Sequence, residues 1–233
     1  MVPSPAFLEK SLPELPPERI AQWITWYVVL LFSLSVHESA HAWTALRMGD
    51  KTAAALGRIT LNPLTHMDPI GTILMPVLQL FSMGLPLLAW AKPTPVQARN
   101  FRAGQLRRGQ ILVAGAGPLS NFALALVFTA VLFVLVRAGV PLREGDPVYN
   151  ILRAGVVMNV FLGVFNLVPL PPLDGSWIAS WGLPSGLREG YDRLMEPYGQ
   201  WILLLLFATG LLGRLTSPLT GALVGALRNL VYG

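Results

Sequence analysis

The sequence predicts an all-α polytopic membrane protein with about five to six membrane-embedded segments around a three-helix core, a short strand or hairpin element and one re-entrant segment. Three observations lead there. Of the 233 residues, 53% are hydrophobic and only 12% charged, against about 25% charged in soluble domains. The apolar residues arrive in blocks without Asp, Glu, Lys, Arg or His, at 20–36, 69–91, 109–136, 154–173 and 197–213. Each block crosses or nearly crosses a hydrocarbon layer that needs about 20 apolar residues. The basic residues gather between the blocks, as the positive-inside rule produces. The lipid bilayer is therefore a partner. The formal charge of +5 does not mark a nucleic-acid partner, which would need clustered Lys and Arg on a soluble face. With no cysteine in the chain, disulfides and thiolate sites are excluded, and any metal must be held by His and carboxylate.

Taken in order, residues 1–19 form a lead-in, because Pro3, Pro5, Pro13, Pro16 and Pro17 forbid a long helix. They lack the basic and short apolar regions of a signal peptide, so the first apolar block stays in the protein. A core follows over 20–180. Its first helix, 20–48, stops at the Gly49-Asp50 pair. Residues 52–64 are short, mixed and broken by Gly57 and Pro63, which suits a strand or hairpin near the membrane surface. The apolar stretch 69–91 precedes a segment, 92–108, carrying Lys92, Arg99, Arg102, Arg107 and Arg108 and no acid. A helix over 109–137 comes next, then a broken helix over 151–180, interrupted by Pro169, Pro171 and Pro172. Further membrane segments lie within 181–233.

Two patterns carry chemistry. His37-Glu38-Ser39-Ala40-His41 is an H-E-x-x-H motif, which on a helix sets two imidazoles one turn apart on one face, where both can bind one zinc ion. Glu38 lies about 100° round the helix, placed to take a proton from an activated water. Ionisable groups straight after an apolar run are costly in lipid and default to a functional reading. A catalytic zinc usually has three protein ligands. The candidates for the third are His66 and a carboxylate at membrane depth, and Asp174 stands out because uncharged runs flank it. The prolines before it unwind the backbone, which is tolerated at that depth only beside protein or a water-filled cavity.

The segments His-Glu-Ser-Ala-His at 37–41 and Asn-Leu-Val-Pro-Leu-Pro-Pro-Leu-Asp-Gly at 166–175 resemble the two signature motifs of the site-2 protease family of intramembrane zinc metalloproteases. The second family motif reads N-x-x-P-x-P-x-L-D-G, and Asn166, Pro169, Pro171, Leu173, Asp174 and Gly175 match it. Ala-Gly-Pro-Leu-Ser-Asn at 116–121 resembles the small-residue motif of the family's middle core helix. The resemblance covers roughly residues 20–180, without the PDZ-like insertion or nucleotide-binding regulatory domain of better-known members. It implies one Zn²⁺ held by His37, His41 and Asp174, Glu38 as general base, and Asn166 facing substrate or the developing oxyanion. The implied substrate is a transmembrane protein. Two other classes stay open: a metal-binding membrane transporter, which would need the ligands but no base beside them, and a catalytically silent binder of membrane helices.

For His37 and Asp174 to share an ion they must lie at one depth. His37 is about 25 Å along its helix from Ile20, and Asp174 is at least as far from Ile151, so the two helices run parallel. The 109–137 helix supplies one crossing between them. Residues 69–91 then cannot cross as well and are expected to enter and return, turning at Gly84 and Pro86. The all-basic 92–108 segment belongs in the cytoplasm, which places the site toward the cytoplasmic side of a prokaryotic cell membrane. His66 is a gating candidate, with a local turn hydrogen bond as its plainer role. The 90–96 segment reads either as an edge that adds a strand to an unwound substrate or as an interfacial Trp/Lys anchor. Gly117 and Asn121 read as close helix packing with one polar bond.

Overall fold

The computed structural model describes residues 16–81 and 89–233. The lead-in up to residue 15, and Gly84 and Pro86 as the expected turn, lie outside the described residues. Helix α1 (Pro17–Met48) begins with proline in its first turn, where the missing N–H costs nothing. It ends where expected, at Gly49 with φ of 115°, a left-handed conformation suited to glycine. Helix α4 (Leu106–Arg137) and helix α5 (Pro147–Asn166) complete a three-helix core with it.

The register of the core is readable from close contacts. A Cβ on Gly155 would come within 2.5 Å of the Phe128 ring and one on Gly163 within 2.7 Å of Phe122, so α4 and α5 pack antiparallel. His41 meets Val113, and His37 meets Asn121, which makes α1 and α4 antiparallel as well. Helices α1 and α5 therefore run parallel, as the shared depth of His37 and Asp174 requires. Val29, Leu30 and Leu34 of α1 pack with Ala154, Met158 and Leu162 of α5. With lipid as the alternative solvent, such contacts gain mainly from fit, and small residues allow the backbones to approach.

Two expectations need correction. Residues 52–64 do not form a strand or hairpin, and no strand occurs among the described residues. Thr52–Ala55 instead makes one helical turn, α2. Its alanines favour helix, and Asp50, two residues before Thr52, accepts from Thr52 N at 3.0 Å. The chain then turns through Gly57 at φ 67° and a 3₁₀ turn at Pro63–Thr65. The count of five to six embedded segments is matched only in part. Among the described residues, three helices are long and apolar enough to cross, α1, α4 and α5, or up to four if one bent pair counts as a span. That pair is α7 (Ser185–Ala208) and α8 (Leu211–Tyr232), bent by 78° at Gly210. The polar stretch before Pro197 is the first half of α7. The protein is a helical membrane protein.

Pro69–Leu74 forms a π-helical turn leading into α3 (Met75–Phe81). This arm runs antiparallel along α1: Tyr27 Oη donates to Thr72 O at 2.9 Å and Trp23 Nε1 to Pro76 O at 3.1 Å. On the far side of residues 82–88, Trp90 N donates back to Gly71 O at 3.3 Å. Residues 90–96 then continue without helix beside α1. Asp50, fully buried, ties the end of this stretch to α1 by accepting from Gln97 N at 2.7 Å and Asn100 Nδ2 at 2.9 Å. Burial pushes the Asp50 carboxyl up, but the bonds from Asn100, Gln97 and Thr52 outweigh it and hold its pKa below the ordinary value.

Candidate metal centre and its cavity

The site forms where the second half of α1, the first half of α4 and the chain beyond α5 meet. Helix α6 (Asp174–Gly182) starts at Asp174 itself, after the turns at 167–173. The H-E-x-x-H motif sits mid-helix in α1, with His37, Glu38 and His41 all buried. Gly117 of α4 makes the room. A Cβ there would lie 2.5 Å from His37 Cε1 and 2.6 Å from His37 Nε2, and would also collide with His41.

His37, His41 and Asp174 are the only group among the described residues whose ligand atoms converge as a metal site requires, all within 4.8 Å of one another. His37 Nε2 and His41 Nε2 lie 3.1 Å apart. Asp174 Oδ2 lies 3.2 Å from the first and 3.3 Å from the second. Ligand atoms about 2.0–2.2 Å from a tetrahedral zinc stand roughly 3.3–3.6 Å apart, so the three distances come within about 0.2 Å of the edges of one face of such a tetrahedron. The tautomers fit as well. His37 Nδ1 lies 2.7 Å from Asn121 Oδ1, and His41 Nδ1 lies 2.7 Å from the carbonyl of Val113. Both partners are acceptors, so each imidazole carries its proton on Nδ1 and turns a bare Nε2 inward. Asp174 Oδ2 is buried and accepts no hydrogen bond. Three lone-pair donors facing one another without a proton between them repel unless a cation sits among them. A zinc ion satisfies that arrangement.

Glu38 is placed beside this group with one carboxylate oxygen already committed. Thr94 donates to its Oε2 from the backbone N–H at 2.8 Å and from the hydroxyl at 2.7 Å. The stretch bearing Thr94 is anchored in turn. Lys92 N donates to His66 O at 2.8 Å, and Arg58 Nη2 donates to Lys92 O at 2.6 Å and Pro93 O at 2.8 Å. A cavity of about 420 Å³ opens over these groups, lined by His37, Glu38, His41, Asp174, Asn166 and Trp90 among others.

Asn166 closes α5 and lines the cavity, with its Nδ2 donating to Leu162 O at 3.0 Å. His66 is not brought to the group. It is buried, with Nε2 2.9 Å from Thr60 O, and its loop packs under the 90–96 stretch. Thr94, Val113 and Asn159 were not singled out in the sequence. Thr94 has no signal there, since a Thr between two prolines reads as loop. Asn159 had one: an amide within the uncharged stretch 154–173 must find a partner.

Against proteins of known sequence, the chain is 36% identical to YwhC of Bacillus subtilis over 200 residues, which cover 84% of this chain and 85% of YwhC. It is 35% identical to Rip2 of Mycobacterium tuberculosis over 182 residues, 76% of this chain and 62% of Rip2. A shorter match, 38% over 69 residues, links it to MJ0611 of Methanocaldococcus jannaschii, covering 30% of this chain. All three relatives carry the provisional designation of zinc metalloprotease. No protein-family profile matches the chain. No solved structure matches it either.

Proposed function

Because the chain belongs to the zinc metalloprotease family in which YwhC and Rip2 stand, with one Zn²⁺ per chain as cofactor, we propose that it is of the site-2 protease type and hydrolyses peptide bonds of transmembrane proteins within or beside the bilayer. The observation that carries this reading is the convergence of His37 Nε2, His41 Nε2 and Asp174 Oδ2 beside the half-committed carboxylate of Glu38. His37, His41 and Asp174 would hold the ion. When bound, it supplies a Lewis acid that makes water acidic enough to be deprotonated near neutral pH. Glu38 takes that proton and later hands it to the leaving amine nitrogen. Thr94 keeps Oε2 occupied, which leaves the other oxygen of Glu38 for the transfer. Asn166 turns its amide toward the substrate carbonyl as negative charge develops on it.

Residues 90–96 serve as the edge on which substrate pairs. Trp90 and Lys92 spend their main-chain bonds on the 66–72 loop and on Arg58, so by strand alternation the main-chain groups of Ala91 point to the opposite edge. An unwound substrate segment gains hydrogen bonds there that it loses by leaving its helix. The transporter reading is disfavoured by Glu38, which a carrier would not need beside its ligands. The test is direct. Purified, zinc-loaded protein cuts single-span membrane peptides, a chelator abolishes the cutting, and added zinc restores it. Cutting that persists after complete zinc removal contradicts the proposal.

The same reading places the site toward the cytoplasmic side, with 69–91 entering and returning. The bond from Trp90 N to Gly71 O and the antiparallel run of 72–76 along α1 support it. Leu56 and Arg99 are both exposed, one on each side of this stretch. Cysteines placed singly at these two positions of the cysteine-free chain should resist an impermeant thiol reagent outside intact cells and react once the membrane is opened. Labelling of Leu56→Cys alone from outside would mean that 69–91 spans.

A further inference from the structure

We infer that Asn159, one amide removed from the metal centre, is the positioning residue that sets the proton of His37 and thereby its capacity to bind zinc; this rests on the reading of His37 as a ligand. The observation is a chain of buried polar bonds whose direction is forced from one end. Ser33, Asn121 and Asn159 are each 0% exposed. The hydroxyl of Ser33 spends its single hydrogen on Val29 O at 2.8 Å, so toward Asn159 it can only accept. Gly155 O, a carbonyl, can also only accept. Both lie 2.9 Å from the same atom of the Asn159 amide, which must then be Nδ2, with one hydrogen for each. Asn159 Oδ1 is left to accept from Asn121 Nδ2 at 3.0 Å. The oxygen of Asn121 therefore faces His37 Nδ1 at 2.7 Å, and His37 must donate. Its Nε2 is left bare, toward His41 and Asp174.

Without Asn159, nothing distinguishes the two ends of the Asn121 amide. Turned over, it presents N–H groups to His37 Nδ1, which moves the imidazole proton to Nε2 and blocks the ligand atom. Full burial of both amides sharpens the effect, because an unpaired polar group there is costly. Asn121 alone cannot hold its orientation by packing, since the two ends of an amide have nearly the same shape. The small cost of turning is what makes the second amide necessary.

The experiment measures zinc affinity by competition with a chelator, together with imidazole nitrogen shifts of His37 in the zinc-free protein. Asn159→Leu, near in volume, should weaken zinc binding by about 10- to 100-fold, the effect usual for groups that orient a ligand, and shift the His37 proton toward Nε2. Adding Asn121→Asp to Asn159→Leu should restore affinity to within a few fold, because a carboxylate accepts whichever way it turns. Asn159→Ser, whose hydroxyl can bond back to Gly155 O, replaces the leucine variant if that does not fold. Unchanged affinity and tautomer in the single variant would overturn the inference, and so would a loss that Asn121→Asp fails to restore, which would mark packing alone. His37→Ala separates the underlying reading: full zinc affinity in that variant removes His37 as a ligand.

Discussion

Glu38→Gln should keep one zinc per chain and lose proteolysis by at least about 10²–10⁴-fold, the range that a positioned proton-transfer group supplies. The amide has the shape of the carboxylate and can still accept from the N–H of Thr94, which now donates to Glu38 Oε2 at 2.8 Å. What it cannot do is take up a proton. The ligand atoms are untouched, because Glu38 lies outside the group formed by His37, His41 and Asp174. Measured by metal analysis and by cleavage of a membrane peptide, a variant with normal zinc that still cuts would place the base elsewhere.

Asp174→Ala carries the other large effect. It removes the one anionic member of the group and leaves two imidazoles 3.1 Å apart, a pair that holds a divalent ion weakly and exchangeably. Zinc affinity should fall by more than about 100-fold, beyond the roughly 10- to 100-fold expected for a partner outside the ligand shell. His66→Ala should leave affinity near its starting value, because His66 bonds to Thr60 O in the loop below and is not among the converging groups. Retained zinc in Asp174→Ala together with loss in His66→Ala would reverse the two assignments.

Much of this site was legible in the sequence because local spacing decides it. His37 and His41 at helical spacing, and Asp174 after a proline break in an uncharged run, point to one place from opposite ends of the core. The parallel run of α1 and α5 followed from the same depth requirement. What spacing cannot show is which distant segment crosses over the motif. Thr94 reaches Glu38 across 56 positions, through a stretch fixed by Arg58 and the His66 carbonyl, and none of those bonds leaves a periodic trace. The strand expected over 52–64 failed for a local reason: a turn of alanines follows Asp50, which accepts from Thr52 N, and the breakers Gly57 and Pro63 mark turns after it rather than hairpin ends. The polar first half of α7 leads directly into its apolar half. Asn121 was read as a packing residue with one polar bond. It makes two, to His37 itself and to Asn159, and Gly117 one turn before it yields the space that the two imidazoles fill.

The claim that the chain cuts within or beside the bilayer is tested most directly by mass spectrometry of a single-span peptide cleaved by the zinc-loaded protein in ¹⁸O-enriched water. The account predicts two fragments that meet within the membrane segment or at its cytoplasmic border, with one ¹⁸O in the new carboxyl group of the N-terminal fragment and no such fragments from Glu38→Gln. An intact peptide after prolonged incubation with protein of verified zinc content, or cuts confined to the region remote from the membrane, would contradict it.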